Sequence, residues 1–161
     1  MKILILYFFV FSSYILFGQK NYEVNSLTSI KYFLAGDIQR ADKYISESIL
    51  LDSNRLDYFY LRAVYKLYLN DTASAIIDFI KAVELKNGKI HQSKDSIVHL
   101  FVVKKPLCSS GRVDKEFQLT SELCEIQLGV WLFLYGKNKK MSCTTLKNIR
   151  DLKNLSEKIC K

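Results

Sequence analysis

The sequence predicts an all-α fold of antiparallel helix pairs, about three units, interrupted by one irregular or short β insert. Three observations carry that reading. Gly36-Asp37-Ile38-Gln39-Arg40-Ala41 recurs further along as Asn70-Asp71-Thr72-Ala73-Ser74-Ala75, position 36 answering to position 70. The register holds downstream, where Ile45 meets Phe79, Ser48 meets Ala82, Ile49 meets Val83 and Leu51 meets Leu85. Within each copy the apolar residues fall three and four apart, the period of a helix with one buried face. A repeat of this length marks stacked units that each bury a face on a neighbour, and such a stack forms a holding surface without needing a reactive centre.

The chain opens with Met1-Lys2, an apolar run from Ile3 to Phe17 softened by Ser12, Ser13 and Tyr14, and then Gly18-Gln19-Lys20. A short positive start, an apolar stretch and a small residue before a polar segment are the marks of a secretory signal peptide, residues 1–18. A membrane anchor is the alternative, but the run is short of the ~20 apolar residues that span a bilayer. No Cys follows it, which argues against a lipoprotein anchor, and no later stretch is apolar enough to span. An exported protein, periplasmic or secreted, is the expectation. What remains, residues 19–161, is enough for one domain with a core. Pro106 is the only proline and no Gly/Ser-rich linker divides the chain.

The first unit, about 22–55, has Phe33, Ala41, Ile45 and Leu51 on its stripes, with Gly36-Asp37 between its helices. Gly suits the left-handed turn and Asp caps the helix that follows. The second unit, about 56–87, repeats this with Tyr58, Leu61, Tyr65 and Leu69, then Asn70-Asp71, then Ala75, Phe79, Ala82 and Val83. Asn also tolerates left-handed backbone angles. Ala41 and Ala75 are small where antiparallel helices approach. The insert, about 88–121, breaks the period. Ile97-Val98-His99-Leu100-Phe101-Val102-Val103 is rich in β-branched and aromatic residues and is followed by Lys104-Lys105-Pro106 and the turn-forming Ser109-Ser110-Gly111. A short strand or hairpin is one reading of it and a distorted helix pair is the other. The third unit, about 122–161, pairs Leu123, Ile126, Val130, Phe133 and Leu134 with Leu146, Ile149, Leu152, Leu155 and Ile159, across a turn one residue longer than in the earlier units.

The second unit resembles a tetratricopeptide repeat through Tyr58-Phe59-Tyr60-Leu61-Arg62-Ala63, Leu69-Asn70-Asp71, Ala75-Ile76-Ile77-Asp78-Phe79 and Lys81-Ala82-Val83-Glu84-Leu85. Residues 22–55 resemble it through fewer positions. Lys66 stands where the family prefers Tyr, Ser48 where it prefers Ala and Asn87 where it prefers Pro. Leu128-Gly129, shortly before Gly136, repeats the family's Leu-Gly pair in the third unit. The final basic helix ending in Cys160 resembles the closing segment of exported bacterial proteins with these repeats, and the resemblance implies a curved stack whose concave face is lined mainly by the first helix of each unit. On this chain that face would be Tyr60, Val64 and Tyr68 in the second unit and Ser26, Ile30 and Phe33 in the first. Such grooves take extended peptides or helices, and aromatic rings give contact area at little entropic cost. The competing reading is that these rings pack on neighbouring helices.

Charge is uneven. Residues 19–85 carry 8 Lys/Arg against 9 Asp/Glu, whereas residues 136–161 carry 8 against 2. Lys137, Lys139, Lys140, Lys147, Arg150 and Lys153 form a candidate basic patch for an anionic polymer or lipid. In an exported chain nucleic acid is not an expected partner. Cys108, Cys124, Cys143 and Cys160 are an even set without Cys-x-x-Cys spacing, which suggests two disulfides in one of three connectivities. Pairing in chain order, Cys108–Cys124 and Cys143–Cys160, would tie the insert to the next helix and join the last two helices.

No phosphate-binding glycine loop, His-Glu-x-x-His or Gly-x-Ser-x-Gly is present. Glu122 and Glu125 read as neighbouring surface acids. His91 and His99 are the only histidines, and an enzyme would need one of them paired with a carboxylate in a cleft. The expectation is a non-catalytic protein–protein interaction module without cofactor or metal, its oligomeric state open. A cationic envelope-associated protein is the alternative.

Overall fold

The structure, a computed structural model, describes residues 21–88, 97–103, 107, 120–136, 138–147 and 152–160. The signal-peptide assignment, most of the insert, Cys108, His91, Lys137 and Arg150 lie outside these residues. The described residues form eight helices and no strand. Helix α1 covers 21–34. It is followed by α2 (Ile38–Leu51), α3 (Leu56–Tyr68), α4 (Thr72–Asn87), α5 (Ile97–Val103), α6 (Ser121–Leu134), α7 (Lys139–Lys147) and α8 (Lys153–Cys160). None of them is long and apolar enough to cross a membrane.

The sequence repeat appears as two hairpins closed by the same turn. Gly36 has φ 82° and Asn70 has φ 60°. Asp37 N–H donates to Tyr32 O and Gly36 N–H to Phe33 O; one period later, Asp71 N–H donates to Lys66 O and Asn70 N–H to Leu67 O. This double closure with a left-handed residue satisfies the orphan carbonyls at the end of the first helix. The second helix is then capped: the Asp37 carboxylate accepts from Arg40 N–H and the Asp71 carboxylate from Ser74 N–H, both at 3.1 Å. Before α7 the turn differs. Asn138 N–H reaches back to Leu132 O, and the Asn138 side chain caps Met141 N–H at 3.0 Å.

Helix α3 is the centre of the packing. Ten of its 13 residues are buried, from Leu56 to Leu67, so it has neighbours on nearly every side. It packs on α2 and most extensively on α4, and α5 lies against it. Ala41, Ala63, Ala75 and Ala82 are fully enclosed at the helix contacts. Arg62 clamps α3 to α4 by donating through Nε and Nη2 to both Asp78 oxygens, at 2.8 and 2.7 Å. Lys66 Nζ lies 3.0 Å from the same carboxylate, and Arg62 Nη1 reaches Ser46 of α2 at 3.4 Å. A bidentate guanidinium on a buried carboxylate supplies direction as well as charge compensation.

The last three helices fold back on this pair, α6 on α7, α7 on α8, and both α6 and α8 on α4. Lys86 of α4 donates to the carbonyls of Phe133 and Leu134 at the end of α6, where a cation also complements the helix dipole. Lys158 of α8 pairs with Glu84 of α4. Helices α6 and α7 meet closely at Gly129, whose carbonyl accepts from Ser142 Oγ at 2.7 Å. A Cβ at Gly129 would stand 2.7 Å from Leu146 Cγ and Cδ2, in a side chain that is fully buried. Gly129→Ala is therefore expected to destabilise by about 1–3 kcal/mol, overpacking outweighing the helix preference for alanine. Urea unfolding of the two proteins checks this, and a variant as stable as the parent would contradict the close approach.

The described part of the insert follows the helical of its two readings. The run Ile97–Val103 is helical, not a strand. Val98 and Val102, four apart, are buried, and Trp131 Nε1 of α6 donates to Val102 O at 2.8 Å. Tertiary packing of an i, i+4 pair overrides the β preference of the individual residues.

Candidate functional site

The first-helix face expected to bind a partner is mostly interior. Phe33, Tyr60 and Val64 are fully buried, Ser26 and Ile30 nearly so, and only Tyr68 is half-buried. Phe33 stacks on Tyr65 at 4.9 Å and meets the Tyr68 ring at 5.3 Å. Tyr60 lies 5.8 Å from the Phe79 ring of α4 and edge-on to Tyr135, 5.4 Å away at the end of α6. Its hydroxyl accepts from Gln127 Nε2 of α6 at 3.2 Å. Burial raises the Tyr60 and Tyr65 hydroxyls above the usual phenol range. Five of the six proposed groove residues are therefore buried, with Gln127 of α6 and Tyr135 covering Tyr60 and Phe33 packed on Tyr65 of α3. The accessible part of the face lies at its turn end. Leu34 at the end of α1 and Leu69 at the end of α3 are exposed, and Leu34 and Tyr68 occupy equivalent positions in the two repeats.

A second constellation went unseen in the sequence. Asp57, in the first turn of α3, is fully enclosed. Its Oδ1 accepts from Tyr135 OH at 3.0 Å and lies 3.1 Å from His99 Nδ1 of α5. Arg55 Nη2 stands 3.6 Å from Oδ2, with its guanidinium 5.0 Å from the centre of the Tyr58 ring. Arg55 Nε and Nη2 and Asp57 Oδ2 are buried without a hydrogen-bond partner among the described residues. Burial and contact with Asp57 leave Tyr135 a neutral phenol, its ionisation raised first by desolvation and then by the carboxylate charge. The His99 imidazole is raised above its ordinary value, first by its hydrogen bond to Asp57 and against a desolvation cost. This meets half of the enzyme condition: a histidine is paired with a carboxylate. Asp57 is however sealed, and the His99 side chain is 23% exposed. Chemically the set orients an imidazole and fastens α5 and the end of α6 to α3. Separations of 42 and 78 residues hid it from local pattern.

On the basic patch, Lys139, Lys140, Lys147 and Lys153 are exposed on α7 and α8. Cys143 and Cys160 are disulfide-paired, with Cα atoms 5.6 Å apart, joining α7 to α8. Cys124 is also disulfide-bonded. Among the described residues no group of three His, Cys, Asp or Glu side chains could hold a metal ion. No protein-family model, curated protein or solved structure matches the chain.

Proposed function

We propose that the protein is a non-catalytic interaction module of the tetratricopeptide-repeat kind, exported to the periplasm or beyond, which captures a peptide or protein partner on the α1–α3 face. The observation that carries this reading is the repeated hairpin. The same left-handed turn and the same Asp cap recur in both units, which sets α1 and α3 side by side with their aromatic residues in contact. The contact surface is centred on Leu34, Tyr68 and Leu69 at the turn end, since Tyr60 and Val64 are covered. Export is supported by the signal-like segment Met1–Gly18 and by the Cys143–Cys160 bond, which persists in oxidising compartments. The His99–Asp57 pair is accounted for by its tie between α5 and α3.

Tyr68→Ala tests the assignment. Its effect on capture of an envelope-fraction partner by the oxidised protein is expected to be about tenfold or more, the scale of an interface hot spot. Helical content should not change. Full-strength capture by the variant would sink the face.

A second reading is favoured by the exposed lysines of α7 and α8. Lys139, Lys140, Lys147 and Lys153 would then hold an anionic polymer or lipid surface. Charge neutralisation, not Tyr68, would control binding in that case.

A further inference from the structure

Helix α5 has seven residues, well below the ~12–15 at which an isolated helix is even marginal in water. Its attachments therefore decide whether it stays formed. Among the described residues three are apolar, through Val98, Phe101 and Val102. One is the Trp131 hydrogen bond to Val102 O. Another is the pairing of His99 with Asp57, and among these attachments it is the one that changes with a proton. We propose that His99 and Asp57 form a proton-operated latch that holds α5 on α3, closed when the imidazole is charged and loosened when it is neutral.

The geometry supplies each part. The Asp57 carboxylate is fully enclosed and fixed by Tyr135 OH, so it cannot turn away to solvent. His99 keeps enough exposure to exchange a proton with water. Among the described residues, the charged or titratable groups facing His99 are Asp57 in α3, Arg55 just before it and Tyr135 after α6, whose ring is 5.9 Å away. Asp57 favours the imidazolium and Arg55 opposes it, and the hydrogen bond to Asp57 is the largest of these effects. A group held above its ordinary value contributes fully below the unfolded value, about 6.5 for His. That contribution is lost as pH rises through the folded value. Neutral His99 still donates through Nδ1, so the latch loosens and does not open outright.

Tyr135 belongs to the same carboxylate and covers Tyr60 edge-on. A loosened latch therefore acts on the covered end of the α1–α3 face. That consequence rests on the proposed partner site; the latch itself rests on the contacts alone.

Hydrogen exchange of the oxidised protein without any partner tests it, at about pH 5.5 and about pH 8, on either side of the histidine range. After correction for intrinsic rates, the opening constant of Ile97–Val103 is expected to rise about fivefold at the higher pH, the difference between a charged and a neutral hydrogen bond. Thr72–Asn87 should not change. His99→Gln should remove the dependence and leave α5 at the loose level at both pH values, while His91→Gln should retain it. An α5 that opens equally at both pH values in the parent overturns the latch, as does a dependence that survives His99→Gln. Partner capture lost through Tyr68→Ala with the exchange pattern intact separates the two claims.

Discussion

Tyr60→Ala is expected to remove about 3–5 kcal/mol of stability, the range for deleting a large buried ring. The residue is fully enclosed between Phe79 and Tyr135 and hydrogen-bonded to Gln127. Because a domain of this size holds only about 5–15 kcal/mol in total, the variant should unfold at much lower denaturant. Tyr68→Ala removes a half-buried ring and should cost less, about 1–2 kcal/mol. Chemical denaturation of both variants, followed by circular dichroism, provides the measurement. Equal, small losses would mean that Tyr60 is solvent-facing and that α6 does not cover it. The contrast also decides which tyrosine can probe binding: only Tyr68 can be truncated without confusing lost affinity with lost fold.

Replacing Cys143 and Cys160 together by serine should lower stability by about 3 kcal/mol, the value for closing a loop of this size. The bond spans 17 residues and joins α7 to α8. Helix α8 has eight residues, packs on α7 and α4, buries Leu155 and Ile159, and pairs Lys158 with Glu84 of α4. An exposed ion pair contributes about 0–1 kcal/mol, so the apolar contacts and the disulfide carry the attachment. The melting midpoint should fall on the order of 10 °C. A midpoint unchanged in the double variant would show that α8 is held without the covalent link.

What could be read from the sequence was what local rules control. Gly36-Asp37 and Asn70-Asp71 announce a left-handed turn followed by a capped helix, and both turns form, one in each repeat. Apolar spacing located α6 because i, i+4 stripes need no knowledge of the neighbour, but the stripe from Leu146 to Ile159, read as the partner helix, is divided between α7 and α8. Ile97–Val103 left strand and helix open because β-branched residues also suit a buried helix face, and Val98 with Val102 makes one. The groove residues stayed open between core and contact surface for a different reason. An aromatic on the first helix of a unit serves equally as core or contact surface, and the cover over Tyr60 comes from Gln127 and Tyr135, far along the chain. The Asp57 cluster joins Arg55, Asp57, His99 and Tyr135, which no periodicity links. One signal was present: an acid at the head of a helix in which most residues are apolar must find donors or stay exposed.

The basic C-terminal helices leave one alternative to separate from the proposed function. Contacts through exposed lysines weaken steeply with salt, because charges more than a Debye length apart are screened. A surface built on Leu34, Tyr68 and Leu69 is apolar and responds little. The most direct measurement is the affinity of the oxidised protein for its captured partner at about 0.05 M and about 0.5 M salt, a range over which the Debye length falls roughly threefold. Binding through the α1–α3 face should change by no more than about threefold, well under the ~1.4 kcal/mol of a tenfold change. A loss of about a hundredfold or more, matched by glutamine substitution of Lys139, Lys140, Lys147 and Lys153, would contradict it and assign the activity to the basic face.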